Sequence, residues 1–187
     1  MTLQEMLNKT HHRQQAFEIM LEHLNNTKNP LIVETGCARQ EDNFLGDGMS
    51  TLIFDQYIND YGGEFHSIDI SPQNISFARS KVSAKSNLHI SDSVRWLWDF
   101  SKSGKTIDLL YLDSFDFDQS NPYPSSIHHL KELTAIVSCL SENTMIAVDD
   151  NFGFGSERIG KGMLVEQFMR ETGRQLYYEG YQLLWKW

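Results

Sequence analysis

Residues 64–82 read EFHSIDISPQNISFARSKV, a stretch in which an apolar run passes directly into a helical pattern. The run 64–70 has the length and composition of a buried strand. Ser71 can cap the helix that follows, and Pro72 suits the first helical position, where no backbone N–H is needed. A strand that leads straight into an amphipathic helix is the repeating unit of α/β proteins. This stretch therefore predicts an α/β fold.

The same alternation continues on both sides of this stretch. Further strands are predicted to begin at Leu31 and to span 87–91, 107–113 and 144–149. A helix is expected from about Ser50, and another over 125–140, with its inward face formed by Ile127, Leu130, Leu133, Val137 and Leu140. The tail 173–187 predicts two strands around Glu179-Gly180. The pattern indicates an open, mostly parallel sheet with helices on both faces and an antiparallel edge.

Length and charge limit the class of protein. The chain has 187 residues, which fits one domain, with a helical segment over 1–29 and a core over 30–187. Its net charge of −9 disfavours nucleic acid and anionic membrane surfaces as partners. The start of the chain lacks a signal-peptide pattern, and no apolar run approaches the roughly 20 residues of a membrane span. With only two cysteines, we expect a soluble protein in the reducing cytoplasm.

Polar residues that end the predicted strands are the first candidates for a binding site, because ligands of such sheets bind at the carboxyl ends of strands. The first strand ends with Glu34 and Gly36, and glycine there allows a ligand to approach the backbone. Asp69 ends the second strand and can accept hydrogen bonds from ribose hydroxyls. Asp92 ends the third strand, where binding an adenine amino group and capping the next helix are both open interpretations.

Four segments carry a resemblance to a known family. They are VETGCAR (33–39), SIDISPQNISFARSKV (67–82), SDS (91–93) and IDLLYLDSF (107–115). In order and spacing they resemble class I S-adenosylmethionine-dependent methyltransferases, and within them the metal-dependent small-molecule O-methyltransferases of the catechol and macrocin type. The resemblance covers nearly the whole chain. It implies a single-domain Rossmann-like fold with a seven-stranded sheet and the C-terminal hairpin at one edge.

The resemblance also implies a set of cofactor contacts. Glu34 and Gly36 would line the methionine end of S-adenosylmethionine, Asp69 the ribose, and Asp92 with Ser93 the adenine. Contacts with the cofactor are also expected from four other residues: Ser50, Thr51, Ile70 and Asp113. The sequence departs from the family over 40–47, where an insertion precedes the helix at Ser50 and is interpreted as a lid.

A cluster of carboxylates follows the fourth and fifth strands. Asp113 ends one strand, and Asp149 and Asp150 end the next, so their side chains should meet at the same edge of the sheet. Carboxylates this close repel one another unless they are protonated, paired or bridged by a cation. Oxygen ligands favour Mg²⁺ or another hard divalent cation. The sequence predicts Asp113, Asp149 and Asp150 as metal ligands, and a shift of one residue would give Asp150 and Asn151.

The predicted activity is Mg²⁺-dependent methylation of a hydroxyl on a small molecule. A bound cation would lower the pKa of the acceptor hydroxyl, and Asp116 is the first candidate for the general base, with Lys161 and His128 as alternatives. Two rival functions stay open: a metal-independent methyltransferase that uses another nucleophile, and a protein that binds S-adenosylmethionine without turnover. The expected partner is a small-molecule acceptor, and a homodimer is left open.

Overall fold

A computed structural model describes the backbone of residues 1–187 and every side chain except that of Ser156. The described residues contain seven α-helices, four short 3-10 helices and nine strands. The helices are α1 (Leu3–Lys9), α2 (Gln14–Leu24), α3 (Ser50–Tyr61), α4 (Pro72–Arg79), α5 (Ser93–Phe100), α6 (Tyr123–Ile136) and α7 (Met163–Glu171). The strands are β1 (Leu31–Thr35), β2 (Glu64–Asp69), β3 (Ser86–Ile90), β4 (Leu109–Leu112), β5 (Met145–Val148), β6 (Asn151–Phe152), β7 (Ile159–Gly160), β8 (Leu176–Glu179) and β9 (Leu183–Lys186).

Seven of the strands form one sheet in the order β3-β2-β1-β4-β5-β9-β8. β1 to β5 run parallel, and β9 pairs antiparallel with β5 and with β8. This confirms the predicted sheet and its antiparallel C-terminal hairpin. The strand order reverses between β1 and β4, and such a reversal creates a crevice at the carboxyl edge of a parallel sheet.

Helices cover both faces of the sheet, because alternate residues of each buried strand point to opposite sides. On one face, Ile32, Tyr111 and Ala147 pack in a cluster with residues of α1, α2 and α3. On the other face, Val33 and Leu110 belong to a cluster with residues of α5, α6 and α7. Among the described residues, no helix combines the length and apolar character needed to cross a bilayer.

The predicted strands are confirmed within one or two residues, but the predicted inward face of α6 is correct only in part, since Leu133 is buried and Leu130 and Leu140 pack against the core. Ile127 is 41% exposed and Val137 is 36% exposed, whereas His129 and Glu132 are fully buried. α6 packs against both α5 and α7. Hydrophobic periodicity alone missed part of this face because the residues that α6 turns toward the sheet include polar groups.

The strand register brings the candidate site together. Thr35 of β1 pairs with Leu112 of β4, so Gly36 and Asp113 leave the sheet side by side. In the same way, Leu112 pairs with Val148 of β5, and the backbone N–H of Asp149 donates to the Leu112 carbonyl at 3.1 Å. The three strand ends therefore open onto one crevice.

Candidate active site

A cavity of about 430 Å³ lies at the carboxyl ends of the parallel strands. Nine of the residues predicted from the sequence line it: Gly36, Ser50, Asp69, Ile70, Asp92, Ser93, Asp113, Asp116 and Asp150. The other three, Glu34, Thr51 and Asp149, are fully buried. The volume of the cavity falls in the range of about 300–1,000 Å³ that is usual for ligand pockets. The cavity is thus the place where most of the sequence candidates meet.

Gly36 lets the turn after β1 approach the end of β4. Its φ is +81°, and a Cβ atom at this position would lie 2.6 Å from the carbonyl oxygen of Asp113. Both the backbone conformation and the lack of space therefore require glycine. The turn after β1 and the end of β4 are therefore in close contact, and both Gly36 and Asp113 line the cavity.

Glu34 stabilises the same turn through hydrogen bonds of its buried carboxylate. Its carboxylate accepts hydrogen bonds from the hydroxyls of Ser50, Thr51 and Ser67. The Thr51 hydroxyl also accepts from the backbone N–H of Ala38 at 2.8 Å. Burial raises the pKa of Glu34 to about 7, although the three hydroxyls act against this change. Glu34 and Thr51 thus hold the first turn in place.

Asp69 joins the turns that follow β1 and β2. Its carboxylate accepts from the backbone N–H of Ser71 at 2.7 Å and from the side-chain amide of Asn74 at 3.2 Å. It also accepts from the backbone N–H of Cys37 at 3.3 Å. Ser71 itself caps α4, as predicted. Asp69 is therefore held in a fixed orientation at the cavity wall.

Asp92 combines the two interpretations that the sequence left open. Its side chain caps α5 by accepting from the backbone N–H of Arg95 at 2.8 Å, and it also lines the cavity. The neighbouring Ser93 hydroxyl lies 3.0 Å from Nε2 of His128. Glu132 approaches the same nitrogen at 3.3 Å. Because both contacts involve one ring nitrogen, the three side chains do not have the geometry of a Ser-His-acid triad.

The predicted carboxylate cluster is present. One oxygen from each of Asp113, Asp149 and Asp150 lies within 4.8 Å of the others. Asn151 takes a different role, because its amide donates to the Val148 carbonyl at 2.9 Å and its oxygen accepts from the Gly162 N–H at 2.8 Å. Of the two predicted pairs, the structure brings Asp149 and Asp150 together with Asp113, whereas the Asn151 side chain is bound elsewhere.

Lys161 lies between two of these carboxylates. Its ammonium contacts Asp113 at 2.6 Å and Asp150 at 2.8 Å, and it donates to the Asp113 carbonyl at 3.2 Å. Lys161 is 1% exposed. Burial alone would lower the pKa of this ammonium, but the carboxylates outweigh burial and hold the pKa above its ordinary value. Lys161 is therefore a permanent cation within the cluster.

Arg13 supplies a second cation, which sequence reasoning missed. Its Nε atom contacts the two Asp149 oxygens at 2.9 and 3.1 Å. Its terminal nitrogens donate to the carbonyls of Leu45 and Gly46 at 2.9 and 3.0 Å, and one lies 3.4 Å from Asp150. Arg13 stands 136 residues from Asp149 in sequence. The sequence signal that could have indicated such a residue is the cluster itself, because buried carboxylates need counter-ions.

Comparison with known proteins identifies the fold. No protein-family model matches the chain, and no curated protein matches it in sequence. Solved structures do match. The MycE methyltransferase from the mycinamycin biosynthetic pathway, in complex with Mg and SAH, gives a TM-score of 0.61 at 12% identity over 93% of this chain and 49% of that chain. A SAM-dependent methyltransferase from Agrobacterium tumefaciens gives 0.60 at 16% identity over 94% and 61% of the two chains.

A third structure is matched over nearly its whole length. It is described as a ribosomal RNA methyltransferase from Plasmodium falciparum, and it gives a TM-score of 0.50 at 13% identity over 91% of this chain and 92% of that chain. The chain has the class I methyltransferase fold. It spans about half the length of the MycE chain. At these identities, the likeness establishes the architecture.

The Mg²⁺ predicted for this methyltransferase fold can be tested against the carboxylates. Their oxygens have the right chemistry, and Mg²⁺ requires near-octahedral ligands at about 2.0–2.1 Å. However, Lys161 binds Asp113 and Asp150, Arg13 binds Asp149, and the Tyr181 hydroxyl donates to Asp150. A metal ion that bridged all three carboxylates would have to compete with these buried cations. The residues in this arrangement do not fit a divalent metal ion.

The predicted base, Asp116, lies at the cavity mouth and is paired with Arg39 at 3.0 Å. Arg39 holds the pKa of Asp116 below its ordinary value. Arg39 also contacts Asp47, which belongs to the predicted insertion 40–47. Both Gly46 and Asp47 line the cavity. The insertion thus forms part of the cavity wall, and its role as a lid stays a prediction.

Proposed function

We propose that this chain binds S-adenosylmethionine in the cavity and transfers its methyl group to a small molecule. The observation that carries the proposal is the cavity itself, which opens at the strand-order reversal of a methyltransferase fold and has Asp69 and Asp92 in its wall. Two rigid carboxylates at the ends of neighbouring strands suit the hydroxyls of a ribose and the amino group of an adenine.

The chain's own residues have separate tasks in this proposal. The cofactor would supply a methyl group on a positively charged sulfonium. Asp69 would accept from the ribose, and Asp92 and Ser93 would bind the adenine. Gly36 would leave room for the methionine end, with Ser50 held in place by Glu34. Asp113 and Asp150 would contribute negative charge at the wall of the cavity.

The acceptor is proposed to be a small molecule that carries a hydroxyl. Six aspartates and three Lys or Arg side chains line the cavity, and the whole chain has a net charge of −9. This negative potential disfavours an RNA phosphate backbone, even though one structural neighbour is described as acting on ribosomal RNA. The cytoplasmic location remains a prediction from the sequence, and a homodimer is left open.

The general base remains open among the predicted candidates. Asp116 is a weak base while Arg39 is bound to it, and Lys161 is held as an ammonium. His128 lines the cavity, and Glu132 raises the pKa of its imidazole although burial opposes this. The ion pairs of the cluster disfavour magnesium dependence, so we propose methyl transfer to the acceptor hydroxyl without a bound metal ion.

Transfer of a labelled methyl group tests this function. The purified chain is incubated with S-adenosylmethionine that carries a tritiated methyl group and with a panel of small alcohols, phenols and sugars, with and without EDTA. Ribosomal RNA serves as the competing acceptor class. We expect label in at least one small-molecule acceptor and equal transfer in EDTA. Label only in RNA would contradict the proposed acceptor class. Cofactor binding without any transfer would support the non-catalytic alternative.

A further inference from the structure

The proposed function leaves one feature of the cluster unexplained: every N–H donor of the Lys161 ammonium has an acceptor. A lysine has three N–H donors, and Lys161 has three acceptors within 3.2 Å, namely the Asp113 side chain, the Asp113 carbonyl and the Asp150 side chain. All three acceptors lie at the strand ends where a metal ion would bridge the same carboxylates. The lysine therefore lies between the candidate metal ligands, where a bridging ion would have to bind.

The charges of the cluster lead to the same conclusion. Asp113, Asp149 and Asp150 are accompanied by two buried cations, Lys161 and Arg13, which leaves one net negative charge when all five groups are ionised. Asp149 is fully buried, and Asp113 and Asp150 are largely buried, so these carboxylates need counter-ions. Lys161 and Arg13 supply them. A divalent cation added to this set would leave the cluster with net positive charge next to a buried ammonium.

We propose that Lys161 and Arg13 are the permanent counter-ions of the Asp113, Asp149 and Asp150 cluster, and that Lys161 excludes divalent cations from it. Lys161 is a positioning residue that holds the two strand ends together. Removal of its side chain should leave two carboxylates facing an open space, and such a space can accept a hard cation with part of its water shell. A variant without the Lys161 side chain should therefore bind divalent cations, whereas the wild-type protein should not.

Manganese titration tests this proposal directly, because free Mn²⁺ gives an electron paramagnetic resonance signal that is lost on binding. We expect the wild-type protein to leave Mn²⁺ free at millimolar concentration. Lys161→Ala should bind it at least about tenfold more tightly, a change of about 1.4 kcal/mol. Lys161→Arg keeps the positive charge and should behave as the wild type. Lys161→Ala combined with Asp113→Asn should lose the gained binding.

Thermal unfolding gives a second readout. Mn²⁺ should raise the melting temperature of Lys161→Ala and leave that of the wild type unchanged, because a ligand stabilises only the protein that binds it. If Lys161→Ala does not fold, Lys161→Gln is measured in its place. Tight Mn²⁺ binding by the wild type would overturn the proposal. A folded Lys161→Ala or Lys161→Gln that binds no better than the wild type would also overturn it.

The outcome is independent of the proposed methyl transfer. The inference concerns the ion pairs of the cluster, so it can fail while S-adenosylhomocysteine still binds in the cavity. Conversely, loss of cofactor binding would leave the manganese result unchanged. A titration of the wild type with S-adenosylhomocysteine therefore separates failure of this inference from failure of the proposed function.

Discussion

Arg13 is the single residue that connects the most distant parts of the candidate site. It belongs to the N-terminal segment, contacts two carbonyls of the loop before α3, and pairs with Asp149 at the end of β5. Its guanidinium also lies 4.5 Å from the centre of the Tyr181 ring. Gly48 makes room for it, since a Cβ atom there would lie 2.9 Å from Cδ of Arg13. One side chain thus links the N-terminus, the insertion and the acidic cluster.

Arg13→Met should be strongly destabilising. The substitution leaves Asp149 buried without its partner, and breaking a buried pair from one side costs about 3–5 kcal/mol. Lys102→Met is the control, because Lys102 also binds an aspartate but both side chains are more than half exposed, where ion pairs contribute about 0–1 kcal/mol. Urea unfolding of both variants makes the comparison. Equal losses of unfolding free energy in the two variants would contradict the larger contribution expected of the buried Arg13–Asp149 pair.

Glu34 should give the protein a distinct pH dependence. The folded-state pKa of about 7 lies above the ordinary value of 4.5, so the folded state binds more protons than the unfolded state between these pH values. The unfolding free energy contributed by Glu34 therefore falls as pH rises from about 4.5 to 7, by about 3 kcal/mol at 1.36 kcal/mol per pKa unit. Glu34→Gln cannot titrate and should lack this decrease.

Buried histidines act in the opposite direction over part of the same range. Burial lowers the pKa of His129 to about 4, so its contribution to stability is lost as pH falls from about 6.5 toward 4. The Glu34 effect must therefore be read as the difference between Glu34→Gln and the wild type, measured by urea unfolding from pH 5 to pH 8. The variant should gain stability relative to the wild type as pH rises. A constant difference would contradict the raised pKa of Glu34.

At the level of the elements, the contact between the β1 turn and the β4 end should be sensitive to one added methyl group. Gly36 and Gly104 both have positive φ values, +81° and +73°, but only at Gly36 does an added Cβ meet another atom of the described structure within 4 Å. Gly104→Ala should cost about 1–2 kcal/mol for the left-handed backbone. Gly36→Ala should cost more, because the Asp113 carbonyl must also move.

Binding of S-adenosylhomocysteine gives this pair of variants a second readout. Gly36→Ala should weaken binding because its methyl group moves two cavity-forming strand ends apart, whereas Gly104→Ala should bind as the wild type does. Denaturant unfolding and calorimetric titration make the two comparisons. Equal effects of the two substitutions on both quantities would contradict the role of the close approach at Gly36.

Helices and strands were predicted from the sequence more accurately than the inward face of α6 or the ion-pair partners of the carboxylates. Strand ends were located within one or two residues because buried parallel strands form short apolar runs with polar ends, as at Asp69 and Asp113. The inward face of α6 was predicted only in part, because the fold also buries His129 and Glu132, which the apolar pattern places outside. Arg13 could not be found locally, because its partners are provided only by the folded chain.

At the scale of the whole molecule, the N-terminal segment is structurally part of the candidate site. α1 and α2 contribute to the core cluster on one face of the sheet, and Arg13 reaches the cavity wall. We therefore propose that residues 1–29 and 30–187 form a single domain, as predicted from the sequence. The insertion 40–47 depends on this arrangement, because Arg13 binds the carbonyls of Leu45 and Gly46.

The most direct test of the whole account is the calorimetric titration of the purified chain with S-adenosylhomocysteine. We expect one site with an affinity in the micromolar range, and Asp69→Asn should weaken binding by about tenfold or more, because a hydrogen bond to a charged group contributes about 1.5–3 kcal/mol. Asp99→Asn, an exposed substitution on α5, should bind as the wild type does. A folded wild-type protein that shows no binding at millimolar ligand would contradict the assignment of the cavity.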